Sequence, residues 1–158
     1  MKRHDCFIPL SREHHDGLLL AVRLQQGTRA LLRLWSHDPV WQAEYVVKFF
    51  RENLMDHFQT EEKEIFPLVE RYFPPQNSGM AAQLRNEHLE MKTLVESMSA
   101  SGESQLAPAL VKFGTALERH IHTEERELFP LCERYFPEDI LKQLGTSIAS
   151  AHNKGGQP

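Results

Sequence analysis

Two stretches of the 158-residue chain, DHFQTEEKEIFPLVERYFP at 56–74 and RHIHTEERELFPLCERYFP at 119–137, are identical at thirteen of nineteen positions, at an offset of 63. Each holds a histidine and a glutamate four residues apart, His57 with Glu61 and His120 with Glu124. On a helix, that spacing puts both side chains on one face, one turn apart. The face is otherwise apolar: Phe50, Leu54, Ile65 and Leu68 surround His57, and Phe113, Leu117, Leu128 and Leu131 surround His120. A carboxylate on such a stripe costs several kcal/mol unless something compensates it. A metal ion would do so well, and a buried His–Glu hydrogen bond less fully.

Two further histidines precede these stretches in matching pieces, Glu13-His14 and Glu87-His88, with Leu10 and Leu84 four residues before them. At 1.5 Å per residue, His14 lies about 33 Å before a turn near residue 36, while His57 and Glu61 lie about 28 and 34 Å beyond Asp38. His88 lies about 21 Å before Gly102, and His120 about 18–24 Å into the last long helix. The predicted constellation is therefore His14, His57, Glu61, His88, His120 and Glu124 in one layer. Four imidazoles and two carboxylates suit a pair of borderline metal ions, with the carboxylates able to bridge. Iron fits this mixed nitrogen and oxygen set best, with manganese or zinc behind it. A single zinc would take four ligands and leave two polar groups unexplained. The competing reading is a metal-free bundle held by buried His–Glu hydrogen bonds.

The elements that must carry this layer read as helices. Apolar residues recur with 3.6-type spacing between a few Gly and Pro junctions. A first helix is predicted from Ser11, as N-cap, to about Trp35. Asp38-Pro39 opens a second that runs to about Tyr72 with a bend at Pro67. A third spans about 80–99, and a fourth starts between Ser104 and Pro108 and ends near Tyr135. Short loops imply antiparallel neighbours. The expected fold is all-α, an up-down-up-down four-helix bundle over residues 10–150. There is room for a short C-terminal fifth helix after Pro137, a lead at 1–9 and a disordered tail at 151–158.

The remaining features read as structural. Glu62, Glu64, Glu125 and Glu127 form charge runs of the kind that cover solvated faces. His15 and His122 point off the stripe, His37 sits at a loop, and His4 and His152 lie near the ends. Cys6 and Cys132 have no redox or metal spacing and read as buried spectators. With 18 basic and 22 acidic residues the net charge is −4. No basic face stands out, so no nucleic-acid partner is expected. The longest clear apolar run, Leu18 to Val22, is far short of a membrane span. The first residues lack the apolar stretch of a secretion signal, so a cytoplasmic protein is expected.

The order His14, His57-Phe-Gln-Thr-Glu61, His88, His120-Ile-His-Thr-Glu124 resembles the hemerythrin-like family, also called the HHE cation-binding domain, over about residues 10–136. The resemblance implies a non-haem di-iron centre with these six residues as ligands and Glu61 and Glu124 bridging. The family's oxygen carriers place a second histidine four residues after the helix-three histidine, and an aspartate five after the last one. Here those positions are Lys92 and Glu125. The chain is thus more similar to the broad bacterial branch, whose members bind or sense oxygen or nitric oxide, handle iron, or repair damaged iron centres. A binding protein for iron and a small diatomic ligand is the first expectation. A di-iron enzyme acting on peroxide or nitric oxide, or repairing iron-sulfur centres, is the alternative.

Overall fold

The Asp38 side chain accepts a hydrogen bond from the Val40 N–H, and Pro39 takes the first helical position, so the second long helix starts where the sequence places it. The computed structural model describes residues 2–26 and 35–155, and all regular structure among them is helical. The α-helices are α1 (Ile8–Gln26), α2 (Pro39–Phe49), α3 (Met55–Thr60), α4 (Phe66–Tyr72), α5 (Met80–Ala100), α6 (Glu103–Thr123), α7 (Phe129–Tyr135) and α8 (Glu138–Gly155). π turns at Phe50–Leu54 and Glu61–Ile65 join α2, α3 and α4 into one rod, and a third at Glu124–Leu128 joins α6 to α7.

Two of these π turns sit just ahead of Pro67 and Pro130, each the second residue of its helix. Proline cannot donate to the carbonyl four residues back, and its ring crowds it. The chain widens instead of bending sharply: the Phe66 N–H reaches the Glu61 carbonyl, and the Phe129 N–H reaches that of Glu124. The bend predicted at Pro67 is therefore a widened turn that begins at the first repeat's glutamate, a placement typical of functional sites.

Three boundaries differ from expectation. The first helix starts at Ile8, after a 3₁₀ turn at Asp5–Phe7, because Cys6 and Phe7 are buried and draw the chain in earlier. Ser11 is therefore not an N-cap, and its hydroxyl donates to Glu125 Oε1 at 2.7 Å. α6 starts at Glu103, with Pro108 inside it. The fifth helix is 18 residues long and reaches Gly155, so residues 151–155, expected in the tail, are helical. The predicted end of the first helix near Trp35 adjoins residues 27–34, which, like residues 156–158, lie outside the described residues.

α1 lies against α6, α6 against α5, and α5 against both ends of the α2–α4 rod. Gly17 of α1 faces Ile121 and Leu117, whereas Ala21 and Leu24 face Gly114, so α1 and α6 run antiparallel. The buried side chains form two apolar clusters. One includes Leu20, Leu24, Phe50, Phe58, Met91, Phe113 and Leu117, and the other Phe7, Leu10, Ile65, Phe66, Leu84, Leu128 and Phe129. α8 joins the second through Leu141, Leu144 and Ile148.

The tightest backbone approach is at Gly114, where a Cβ would lie 3.0 Å from the Ala21 carbonyl oxygen and 3.0 Å from Leu24 Cβ. Neither can retreat without moving α1. Gly114→Val should therefore destabilise the protein by about 1–3 kcal/mol, the usual cost of overpacking, measured as a lower urea midpoint at unchanged slope.

Candidate metal centre

Between the two apolar clusters lies a layer of six buried polar residues. His14 comes from α1, His57 from α3, His88 from α5 and His120 from α6, while Glu61 and Glu124 open the π turns. Their exposures range from 0% to 4%. The histidines pair by their Nε2 atoms, His14 with His57 at 3.0 Å and His88 with His120 at 3.0 Å. The sequence-derived layer is thus brought together complete.

Each carboxylate spans both pairs. Glu61 Oε1 lies 2.7 Å from His57 Nε2 and 3.6 Å from His14 Nε2, while its Oε2 lies 3.1 Å from His88 Nε2. Glu124 mirrors it, with Oε2 3.0 Å from His14 Nε2 and Oε1 3.2 Å from His120 Nε2. All four oxygens are buried, yet none has a partner in hydrogen-bond geometry. Such orphaned buried acceptors are costly unless something else satisfies them. The donors thus divide into two groups that could each hold a metal ion: His14, His57, Glu61 and Glu124, and Glu61, His88, His120 and Glu124.

The outer ring nitrogens explain why Nε2 points inward. His14 Nδ1 donates to Glu125 Oε1 at 2.6 Å, His88 Nδ1 donates to Glu62 Oε1 at 2.8 Å, and His57 Nδ1 donates to Glu13. His120 Nδ1 faces Glu87 Oε2 more loosely, at 3.8 Å. A proton held on Nδ1 leaves the Nε2 lone pair free for a metal, and a carboxylate there raises the ring's basicity. Glu62 and Glu125 are therefore not simply part of a solvated face. Glu62 is exposed and Glu125 half-buried, but each turns a carboxylate oxygen to a ring in the layer, as Glu13 and Glu87 do from α1 and α5. The sequence signal for all four was the duplication itself, since each is adjacent to a layer residue in both repeats: Glu13-His14, Glu87-His88, Glu61-Glu62 and Glu124-Glu125.

Without a metal, these groups perturb one another strongly. Burial opposes charge on His57, but the Glu61 charge and the Glu13 hydrogen bond outweigh it and push its pKa up to about 9. Burial likewise opposes charge on His120, and Glu124 pushes it up to about 10. His14 is also buried, but the close approach of Glu124, Glu125 and Glu61 raises it well above the ordinary imidazole value. Burial alone would raise Glu61, yet the His57 charge and the nearby His14 and His88 rings hold it well below the usual carboxylate range. Burial and the Glu61 charge likewise raise Glu124, and His120 with His14 holds it below.

The other candidates stay outside. His15 and His37 are exposed, His4 faces Glu138, and His122 faces Glu118 at 3.6 Å. Burial pushes the Cys6 thiol up to about 12, and Cys132 is raised for the same reason, so both stay protonated thiols in the second apolar cluster. A small cavity of about 30 Å³ opens beside the layer, onto His14, His57 and His120 and against Leu54, Phe58 and Leu117. No helix among the described residues is long and apolar enough to cross a membrane.

Similarity to known proteins agrees with this geometry. An uncharacterized hemerythrin-like protein of Schizosaccharomyces pombe is 30% identical over 111 residues, covering 68% of this chain and 52% of that protein. The chain thus spans about half the length of that curated relative. No solved structure matches the chain. The family model described as the hemerythrin HHE cation-binding domain matches residues 7–132, from the buried Phe7 to the buried Cys132 and across every residue of the polar layer, and the chain belongs to that family.

Proposed function

We propose that His14, His57, Glu61, His88, His120 and Glu124 hold a pair of iron ions, and that the protein binds a small diatomic ligand, oxygen or nitric oxide, at that centre. The observation that carries this reading is the reach of Glu61 and Glu124, each with one oxygen toward either histidine pair and no hydrogen-bond partner for any of the four. A buried His–Glu network without metal would satisfy those oxygens only through ring contacts that lack good hydrogen-bond geometry. Mixed imidazole and carboxylate donors suit iron, with manganese and zinc less apt for this set. Iron there would supply redox-active Lewis-acid positions, because six protein ligands shared by two ions do not fill both coordination shells.

The chain's own residues do the rest. Nδ1 contacts to Glu13, Glu62 and Glu125 orient three of the rings and hold their outer protons. The 30 Å³ cavity exceeds the roughly 10–15 Å³ that admits one water, so it has room for a small molecule beside the layer. Leu54, Phe58, Leu117 and Ile121 make much of its wall apolar, which suits a small uncharged diatomic, with Glu13, Asp16 and Asn53 also on its lining.

Protein loaded anaerobically with ferrous iron should take up about two equivalents per chain. Glu61→Ala or Glu124→Ala should lower that stoichiometry clearly, whereas Glu64→Ala and Glu127→Ala, further from the layer, should not. Equal loss in all four variants would remove the ligand assignment. Nitric oxide added to the ferrous protein should change its visible absorption, and an unchanged spectrum would remove the diatomic ligand.

The raised histidines give a second test. A group whose pKa is higher in the folded than in the unfolded chain contributes stability that is fully present below the unfolded value, and is lost as pH rises through the folded one. For His57 the rise from the ordinary imidazole value of about 6.5 to about 9 is worth roughly 3 kcal/mol. Chelated protein should therefore lose melting temperature between pH 6.5 and about 10, the upper limit set by His120. Iron competes with those protons and binds only the folded site, so loaded protein should hold its melting temperature over that window. The gap between the two curves should widen with pH. Superimposed curves would mean that the site binds no metal.

A further inference from the structure

α8 lies beyond the matched family residues, which end at 132, yet it reaches the carboxylate behind His57. Its His152 donates from Nε2 to Glu13 Oε1 at 2.5 Å, while the other oxygen of Glu13 accepts from His57 Nδ1. The second ring nitrogen of His152 lies 2.9 Å from the Ile148 carbonyl oxygen, so the ring sits close against its own helix. That helix is in turn fixed by apolar burial of Leu141, Leu144 and Ile148, and by a close approach to Cys6 at Gly145, where a Cβ would lie 3.3 Å from Cys6 Cβ. A chain of contacts therefore runs from the packed C-terminal helix through His152 and Glu13 to His57.

Among the described residues, the other half of the pseudo-twofold has no histidine behind its carboxylate. Glu87 is the counterpart of Glu13, and His120 the counterpart of His57. There the ring-to-carboxylate distance is 3.8 Å, Arg119 Nε stands 3.8 Å from Glu87 Oε1, and both His120 Nδ1 and Glu87 Oε2 are buried without a hydrogen-bond partner. A hydrogen-bonded carboxylate behind a ligating imidazole holds its orientation and strengthens it as a ligand. The two half-sites therefore differ in how firmly their second histidine is held.

We propose that His152 is a positioning residue, clamping Glu13 against His57 so that α8 makes the His14/His57 position the tighter of two unequal metal positions. This rests on the two-metal reading of the layer. The clamp is also reachable from solvent. A cavity of about 230 Å³, bounded by Glu52, Asn53, Asp56 and Thr60 on one side and by Ala151 and His152 on the other, opens against Glu13 and His57. A change in the seating of α8 would thus be felt most directly at the His14/His57 position, through Glu13.

The test is release of ferrous iron from loaded full-length protein into excess chelator under anaerobic conditions. Wild-type protein should release two equivalents in two phases. His152→Ala should speed the slower phase by about tenfold or more, the usual effect of losing a partner behind a ligating histidine, and leave the faster phase unchanged. His152→Gln, whose amide can donate to Glu13, should restore part of the difference, a rescue that a merely structural role for α8 would not give. If the alanine variant loses helical circular dichroism, Glu13→Gln, which leaves α8 intact, should speed the same phase. Two equivalents released in a single phase, or variants that release iron at wild-type rates, would overturn the inference alone. Wild-type protein that takes up no iron would overturn the two-metal reading and this inference with it.

Discussion

Two carboxylates with no exposed surface stand in the middle of a helical bundle, and the rest of the architecture follows from the need to accommodate them. Glu61 and Glu124 separate two apolar clusters that would otherwise form one continuous core. Replacing such a layer by close-packed hydrophobic residues is often neutral or stabilising in other proteins. Its presence here therefore costs stability that the helices must supply elsewhere. They do so through closely apposed helices, as at Gly114, and through aromatic contacts that cap the layer on both sides. Phe58 stacks on His88 with ring centroids 3.9 Å apart, and Phe129 stacks on His14 at 5.7 Å.

Much of this was legible in the chain because a helix converts sequence spacing into direction. The four-residue interval from His57 to Glu61, repeated from His120 to Glu124, fixes one face without knowledge of any neighbour. The distance from His88 to its turn at Gly102 fixes the depth. Asp38-Pro39 fixes a helix start by local hydrogen bonding alone. Each of these depends on one helix at a time, and each holds in the structure.

What the chain did not disclose depends on register between helices. Glu125 has the composition of a solvated run, and only the approach of α1 turns it toward His14 and Ser11. Glu62 meets His88 from a different helix in the same way. Ser11 resembles an N-cap in isolation, yet burial of Cys6 and Phe7 carries the helix back to Ile8, because a few apolar contacts outweigh one capping hydrogen bond of about 1 kcal/mol. His152 was the least visible of all. It sits after the last repeat, in a segment whose polar composition suggests a tail, and its partner lies 139 residues away.

Duplication makes the centre nearly symmetric, and symmetry has a consequence for chemistry. Two hairpins built from one repeat present equal donor sets, so any difference between the halves must come from positions that diverged or from chain added outside the repeat. Both occur here. The π turn at Phe50–Leu54 has no counterpart in α6, which runs without interruption from Glu103 to Thr123 and so approaches His120 with a different helical phase from the one the first rod brings to His57. α8 has no counterpart either, and it packs mainly on the first half, against the Asp5–Phe7 turn, α3 and the Glu61–Ile65 turn, while its Leu141, Leu144 and Ile148 share the second apolar cluster with Leu128 and Phe129. A single helix appended to a symmetric bundle is thus enough to distinguish its two halves. It does so at Glu13, one of the four carboxylates behind the rings, where the layer can be adjusted without altering any of the six buried side chains.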